Sequence, residues 1–277
     1  MLSLLSLLSA LAAAALAMPT LVADCDPLPG IEAVLATPGL GYLLIGEYHG
    51  TVEMPKVAAD ALCAAASSGR PAILGVELTP ANQPFLDAYL ASDGGRAARE
   101  ALLHAPAWQV REGRTTVAML DLLEAARRLA RAGRAVSISA FDRVPAPILS
   151  REREAAMAEA LVEARSRVPG SLVVALTGAG HAGKTPWTSQ NPPFPSTGGL
   201  LPDAATIALT FRRPGGRYWG CHAPNGDASA GCTAYDMPPR EPVVPRGIVL
   251  DRTLRDGFEG VYSTGGTYTA SPPARDE

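Results

Sequence analysis

Two histidines close Gly-x-x-His turns behind apolar runs: Gly46-Glu47-Tyr48-His49 after residues 42–45, and Gly178-Ala179-Gly180-His181 after residues 172–177. Glu77 ends a third apolar run, 72–78, and Asp142 and Arg143 follow a fourth, 135–141. His49, His181, Glu47 and Glu77 form a ligand set suited to a divalent transition metal such as zinc, manganese, cobalt or iron. A water on such a metal is acidified and attacks a carbonyl or phosphoryl centre. Without metal, the same groups serve as base and orienting acid, with Arg143 steadying developing negative charge. Both chemistries are open to this residue set.

The second turn, within LVVALTGAGHAGKT, fits two further patterns. Residues 178–185 read as G-x-x-x-x-G-K-T, a phosphate-cradling loop, and Gly178, Gly180 and Gly183 as G-x-G-x-x-G, a dinucleotide fingerprint. Either needs a helix straight after it, so that backbone N–H groups meet the phosphates. Here Pro186, Pro192, Pro193 and Pro195 follow, and they cannot propagate a helix. The fingerprint also falls after the fourth strand of the pattern instead of the first. The Gly-x-x-His reading is the one retained.

The elements that must position these residues alternate. Continuous apolar runs at 42–45, 72–78, 135–141, 172–177 and 206–211 predict strands buried on both faces. Helical patterns occupy 53–66, 81–90, 95–103, 115–132 and 150–165. In the fourth, Val117, Leu120, Leu123 and Leu129 mark the apolar face, and Asp121, Glu124, Arg127, Arg128 and Arg131 the wet one. This alternation predicts an α/β fold with a mostly parallel central sheet flanked by helices. Every candidate residue then sits at a carboxyl strand end, the edge where open α/β sheets bind ligands. From 186 onward the chain turns Pro- and Gly-rich, with short β pieces at 217–222 and 247–250, and 264–277 reads as a disordered tail. His104 and His222 read as structural, and Trp108 and Arg114 as loop packing.

Residues 2–17, LSLLSLLSALAAAALA, with small-residue sites at 15–17 and 21–23, read as a secretory signal peptide occupying 1–23. A single α/β domain then covers 24–263, exported to the periplasm or beyond, and any membrane attachment would come only from an uncleaved leader. A formal charge of −3 provides no basic field, which argues against nucleic-acid partners and leaves a small molecule or peptide. The cysteines, Cys25, Cys63, Cys221 and Cys232, favour disulfides in that compartment. Three pairings are possible; the favoured one joins Cys221 to Cys232 across a short polar loop and Cys25 to Cys63 on the helix at 53–66.

The paired Gly-x-x-His turns and the strand-end Glu77 resemble the TIKI/TraB superfamily, which includes ChaN-type haem-binding lipoproteins and, more remotely, erythromycin-esterase-like proteins. The first motif, LLIGEYHGTVEMP, is similar to the G-E-x-x-H-G-T turn of the esterases with one residue fewer between Glu and His, and closer to the TIKI/ChaN pattern. The resemblance covers about residues 41–211. It implies a hydrolase-like site built from Glu47, His49, Glu77 and His181, metal-dependent as in the TIKI proteases; Asp142 and Arg143 rest on strand position alone. The expected function is an exported hydrolase acting on an amide or ester. The alternative is a haem- or iron-binding protein with His49, His181 or Tyr48 as axial ligands. This chain departs from the family in lacking a lipoprotein cysteine and in carrying the AGKTPWTSQ extension after Gly180-His181.

Overall fold

A computed structural model describes residues 25–143, 149–222, 231–251, 253 and 257–276; the expected signal peptide lies outside the described residues. Helix α1 (Ile31–Leu35) leads into strand β1 (Tyr42–Glu47). There follow α2 (Glu53–Ser67), β2 (Ala72–Val76), α3 (Gln83–Ala91), α4 (Arg96–Leu103), α5 (Val117–Arg131), β3 (Val136–Ala140), α6 (Arg151–Arg167) and β4 (Leu172–Gly178). Short helices α7 (Ala179–Ala182) and α8 (Thr197–Leu200) precede β5 (Thr206–Phe211), the pair β6 (Gly216–Cys221) and β7 (Cys232–Met237), then β8 (Gly247–Leu250) and β9 (Gly260–Ser263).

The main sheet has seven strands in the order β3-β2-β4-β1-β5-β9-β8, parallel throughout except that β8 runs against β9. This is the expected α/β class. Successive side chains on a strand point to opposite faces, and the two faces of the sheet have separate cores. Leu43, Ile45, Leu74, Val76, Val174 and Leu176 pack with α2, α3 and α5, whereas Leu44, Ile73, Val173 and Ala175 pack with Met157, Leu161 and Ala164 of α6. Burial on both faces is why these strands read as unbroken apolar runs.

Two expectations need correction. On α5, Glu124 and Arg127 are buried instead of wet, because Arg127 donates to Glu124 in bidentate fashion (2.7 and 2.8 Å) and Tyr89 donates to it as well (2.8 Å). The segment read as a disordered tail is also packed: Tyr268, Ser271 and Ala274 are buried. It bridges to Thr51, Thr116 and Gly216. Its few apolar residues find preformed slots, and its backbone completes hydrogen bonds that loops elsewhere leave open. Both favoured disulfides, Cys25–Cys63 and Cys221–Cys232, are present, as in a chain that matures in an oxidising environment.

Candidate active site

The parallel register brings the carboxyl ends of four strands together. Glu47 of β1 pairs with Gly178 of β4, and Val76 of β2 pairs with Leu176 of β4 and with Ala140 of β3. Glu77, one residue beyond β2, therefore reaches the mouth of the β4 turn. Its Oε2 accepts hydrogen bonds from Thr177 Oγ1 (2.6 Å) and Gly178 N (2.9 Å). Its Oε1 accepts from Arg153 Nη2 (3.0 Å) and Arg114 Nη1 (3.3 Å).

The two imidazoles flank this carboxylate. His49 Nε2 is 3.6 Å from Glu77 Oε2, and His181 Nε2 is 4.0 Å from Glu77 Oε1. Each ring is held from behind by a second carboxylate: His49 Nδ1 by Glu47 at 2.8 Å and His181 Nδ1 by Glu154 at 2.5 Å. Glu154 itself is fully buried and is fixed by Thr197 N (2.6 Å) and Thr197 Oγ1 (2.7 Å).

The two rings have different neighbours. Burial works to lower the His49 pKa, but the Glu77 and Glu47 carboxylates outweigh it and push the value up to about 10. His49 is thus an imidazolium at neutral pH. His181 Nε2 lies 3.3 Å from Arg153 Nη1, and a guanidinium can only donate, so this nitrogen is an acceptor and the proton sits on Nδ1, facing Glu154. For Glu77, burial would raise the pKa, yet the His49 imidazolium and Arg114 hold it well below the usual carboxylate range.

Gly178 opens the space between these groups. A Cβ at this position would lie 3.3 Å from His49 Nε2, 3.5 Å from His181 Cδ2 and 3.8 Å from Glu77 Oε2. One point above the turn is therefore within reach of both rings and the carboxylate, and any side chain there would occupy it. Gly180 has a different reason for being glycine. The Trp187 ring lies 2.2 Å from where its Cβ would be, and Trp187 meets the His181 ring edge-on at 5.8 Å. The Pro-rich stretch after His181 thus folds back to wall in that imidazole.

Glu47, His49, Glu77, His181 and Asp142 all converge on this edge. Asp142 accepts from Arg153 Nε (3.0 Å) and Nη2 (2.8 Å) and from Arg114 Nη1 (3.3 Å). Arg143 does not join them. It pairs with Glu163 on the outer face of α6, because residue 143 points away from the sheet edge that residue 142 faces. The guanidinium groups that do reach this edge belong to Arg153 and Arg114. Sequence reasoning missed Arg153 and Glu154, since Arg151-Glu152-Arg153-Glu154 reads as a solvated helix start. The available signal was position: the first turn of a crossover helix after β3 can lie over the carboxyl edge. Lys184 of the phosphate-loop pattern ion-pairs with Asp203 (2.8 Å) and Glu259 (2.7 Å), a structural role.

The donor set does not suit a divalent cation. Glu77 and Asp142 are covered by the Arg153 and Arg114 guanidinium groups, and Arg153 lies 3.3 Å from His181 Nε2, so a cation held by these groups would meet two like charges. Among the described residues no group of three or more His, Cys, Asp or Glu side chains is arranged to hold a metal ion.

A cavity of about 500 Å³ opens beside the site, lined by Glu47, His49, Arg213 and a wall of aromatic residues from β1 and β6. Tyr48 meets Tyr218 edge-on at 4.4 Å, and Tyr218 donates to or accepts from His222 Nε2 at 2.7 Å. A second hollow of about 470 Å³, between α2 and α5 beside Cys25 and Cys63, contains none of the groups described above.

No protein-family model and no curated sequence matches the chain significantly. Its fold is similar to several solved structures. A succinoglycan biosynthesis protein superposes with a TM-score of 0.63 at 10% identity, over 87% of this chain and 91% of that one. An erythromycin esterase, a mutant in its open conformation, gives 0.58 at 10% identity over 87% and 94%. A Bacillus cereus protein gives 0.53 at 11% identity over 86% and 91%. At such identities the likeness is one of fold.

Proposed function

We propose that the chain is an exported, metal-independent hydrolase of the TIKI/TraB/ChaN-like superfamily that cleaves an ester or amide, with His49 as general acid and His181 as general base. The observation that carries this reading is the placement of two imidazoles on either side of Glu77, His49 between two carboxylates and His181 between a carboxylate and the Arg153 donor. Environments that separate two titratable groups in this way assign acid and base roles. The fold likeness to an erythromycin esterase supports the same class of chemistry.

In the proposed step Arg153 Nη1, whose sister nitrogens stay on Glu77 and Asp142, gives up His181 Nε2 to a water above Gly178; the water passes its proton to that nitrogen while its oxygen forms the new bond to the substrate carbonyl carbon. Glu154 stabilises the charge that appears on His181, as buried carboxylates behind catalytic histidines do. The C–O or C–N bond breaks, and His49 Nε2 donates its proton to the departing oxygen or nitrogen. Proton exchange with solvent restores both rings. Glu77, held by Arg153 and Arg114, positions the rings and is not itself consumed.

The test is hydrolysis of a panel of aryl esters, alkyl esters and short peptides by chelator-treated protein, alongside His49→Ala and His181→Ala. The expected result is turnover that survives chelation and falls by about 10² or more in each variant. Absence of turnover on the whole panel, or turnover that requires added metal, would overturn the proposal.

A further inference from the structure

The cavity beside His49 carries a charge that its neighbours do not balance. Glu47 is engaged by His49 (2.8 Å) and Glu112 by Arg114 (2.8 Å). The adjacent arginines are also paired, Arg212 with Glu241 at 2.9 Å and Arg217 with Asp236 at 3.4 Å. Arg213 also lines the cavity and is half-buried, yet among the described residues it makes no ion pair; its guanidinium lies 5.4 Å over the Phe211 ring.

An arginine stacked on an aromatic face has its fork pre-oriented, so it loses little conformational freedom on pairing with a planar carboxylate. The rest of the wall, Tyr48, Tyr218 and Trp219, presents ring surface, which suits an apolar or aromatic body. Glu47 and Glu112 on the same cavity disfavour a doubly charged group such as a phosphate monoester.

From this arrangement we infer that Arg213 is the anchor for a substrate carboxylate, so the site takes acyl compounds with one free carboxylate and an apolar or aromatic body. This rests on the hydrolase reading for its chemistry but not for its binding. Arg213 contacts neither imidazole and positions the substrate, with no part in proton transfer.

The experiment has two arms on the full exported chain. Calorimetry with 3-phenylpropionate and with 3-phenylpropionamide, on wild type, Arg213→Gln and Arg213→Lys, reads binding alone. Kinetics with a matched pair of esters, one carrying a distal carboxylate and one its neutral amide, reads KM and kcat separately. Wild type should bind the carboxylate at least about tenfold more tightly than the amide, and Arg213→Gln should abolish that difference while Arg213→Lys retains part of it. KM for the charged ester should rise by about tenfold in Arg213→Gln, with kcat and the neutral ester nearly unchanged. Equal binding of acid and amide by wild type, or equal loss on both esters in the variant, would overturn the anchor and leave the hydrolase reading intact. Arg213-dependent carboxylate binding without any hydrolysis would uphold the anchor and remove the hydrolase reading.

Discussion

His49 Nε2 and Glu77 Oε2 face each other across 3.6 Å, although β1 and β2, which carry them, are not neighbours. Strand β4 lies between, and its terminal Thr177 and Gly178 hold the Glu77 oxygen in place. The pairing is therefore a product of the sheet order, and it keeps the His49 ring charged.

Glu77→Gln removes the group on which both imidazoles and two guanidinium ions depend. The His49 pKa should fall from about 10 toward the ordinary histidine value, with Glu47 alone still supporting it. Because the variant leaves Arg153 and Arg114 short of a buried counter-charge, it should lose about 3–5 kcal/mol of stability. Chemical denaturation checks the second effect and ring titration the first.

The raised His49 pKa also sets a pH dependence. A group whose folded pKa exceeds its unfolded value stabilises the fold fully below the unfolded pKa and ceases to do so as pH rises through the folded one. The unfolded ring titrates near 6.5 and the folded one at about 10, so stability should decline across that interval, on the order of a few kcal/mol. Thermal unfolding measured from pH 6 to pH 10.5 should show this decline for wild type and a flatter profile for His49→Gln.

Gly178→Ala and Gly180→Ala should separate function from stability. The first places a methyl 3.3 Å from His49 Nε2, at the point between the rings, on a backbone that alanine accepts (φ −51°). Turnover should drop by about 10² with little change in melting temperature. The second drives a methyl into Trp187 and should cost stability, of the order of 1–3 kcal/mol.

The arginines offer a matched control. Arg143 pairs with Glu163 at the surface, so Arg143→Ala should change stability by less than about 1 kcal/mol and leave turnover unaltered. Arg153 is 4% exposed and touches Glu77, Asp142 and His181, so Arg153→Ala should destabilise by about 3 kcal/mol or more and abolish turnover. Parallel denaturation and kinetic measurements on the two variants compare these sites directly.

Much of this was legible in the residues themselves. Strands β1, β2 and β4 announced themselves because each is buried on both faces and so is apolar almost throughout; β3 and β5 keep enough Val, Ile, Leu and Ala beside their Ser and Thr to be read, and the carboxyl ends of β1 to β4 located Glu47, His49, Glu77, Asp142 and His181. What stayed hidden depends on contacts distant in sequence. Glu154 and Arg153 resemble any solvated helix start until α6 is laid across the sheet edge. Arg114 looks like loop packing until Glu77 and Asp142 arrive beside it. Strand β7 carries little apolar periodicity because most of its residues are half-exposed or exposed, β9 is only four residues long, and the segment at 264–276 is held by bridges to Thr51 and Thr116 that local composition does not reveal.

The most direct test is the titration of the imidazole rings by heteronuclear NMR of ¹⁵N-histidine-labelled protein. Only four histidines are present, so His49→Gln and His181→Gln assign the two signals that matter. The prediction is that His49 stays doubly protonated past pH 9. A His49 ring that titrates near the ordinary histidine value, and is neutral at pH 7.5, would contradict it.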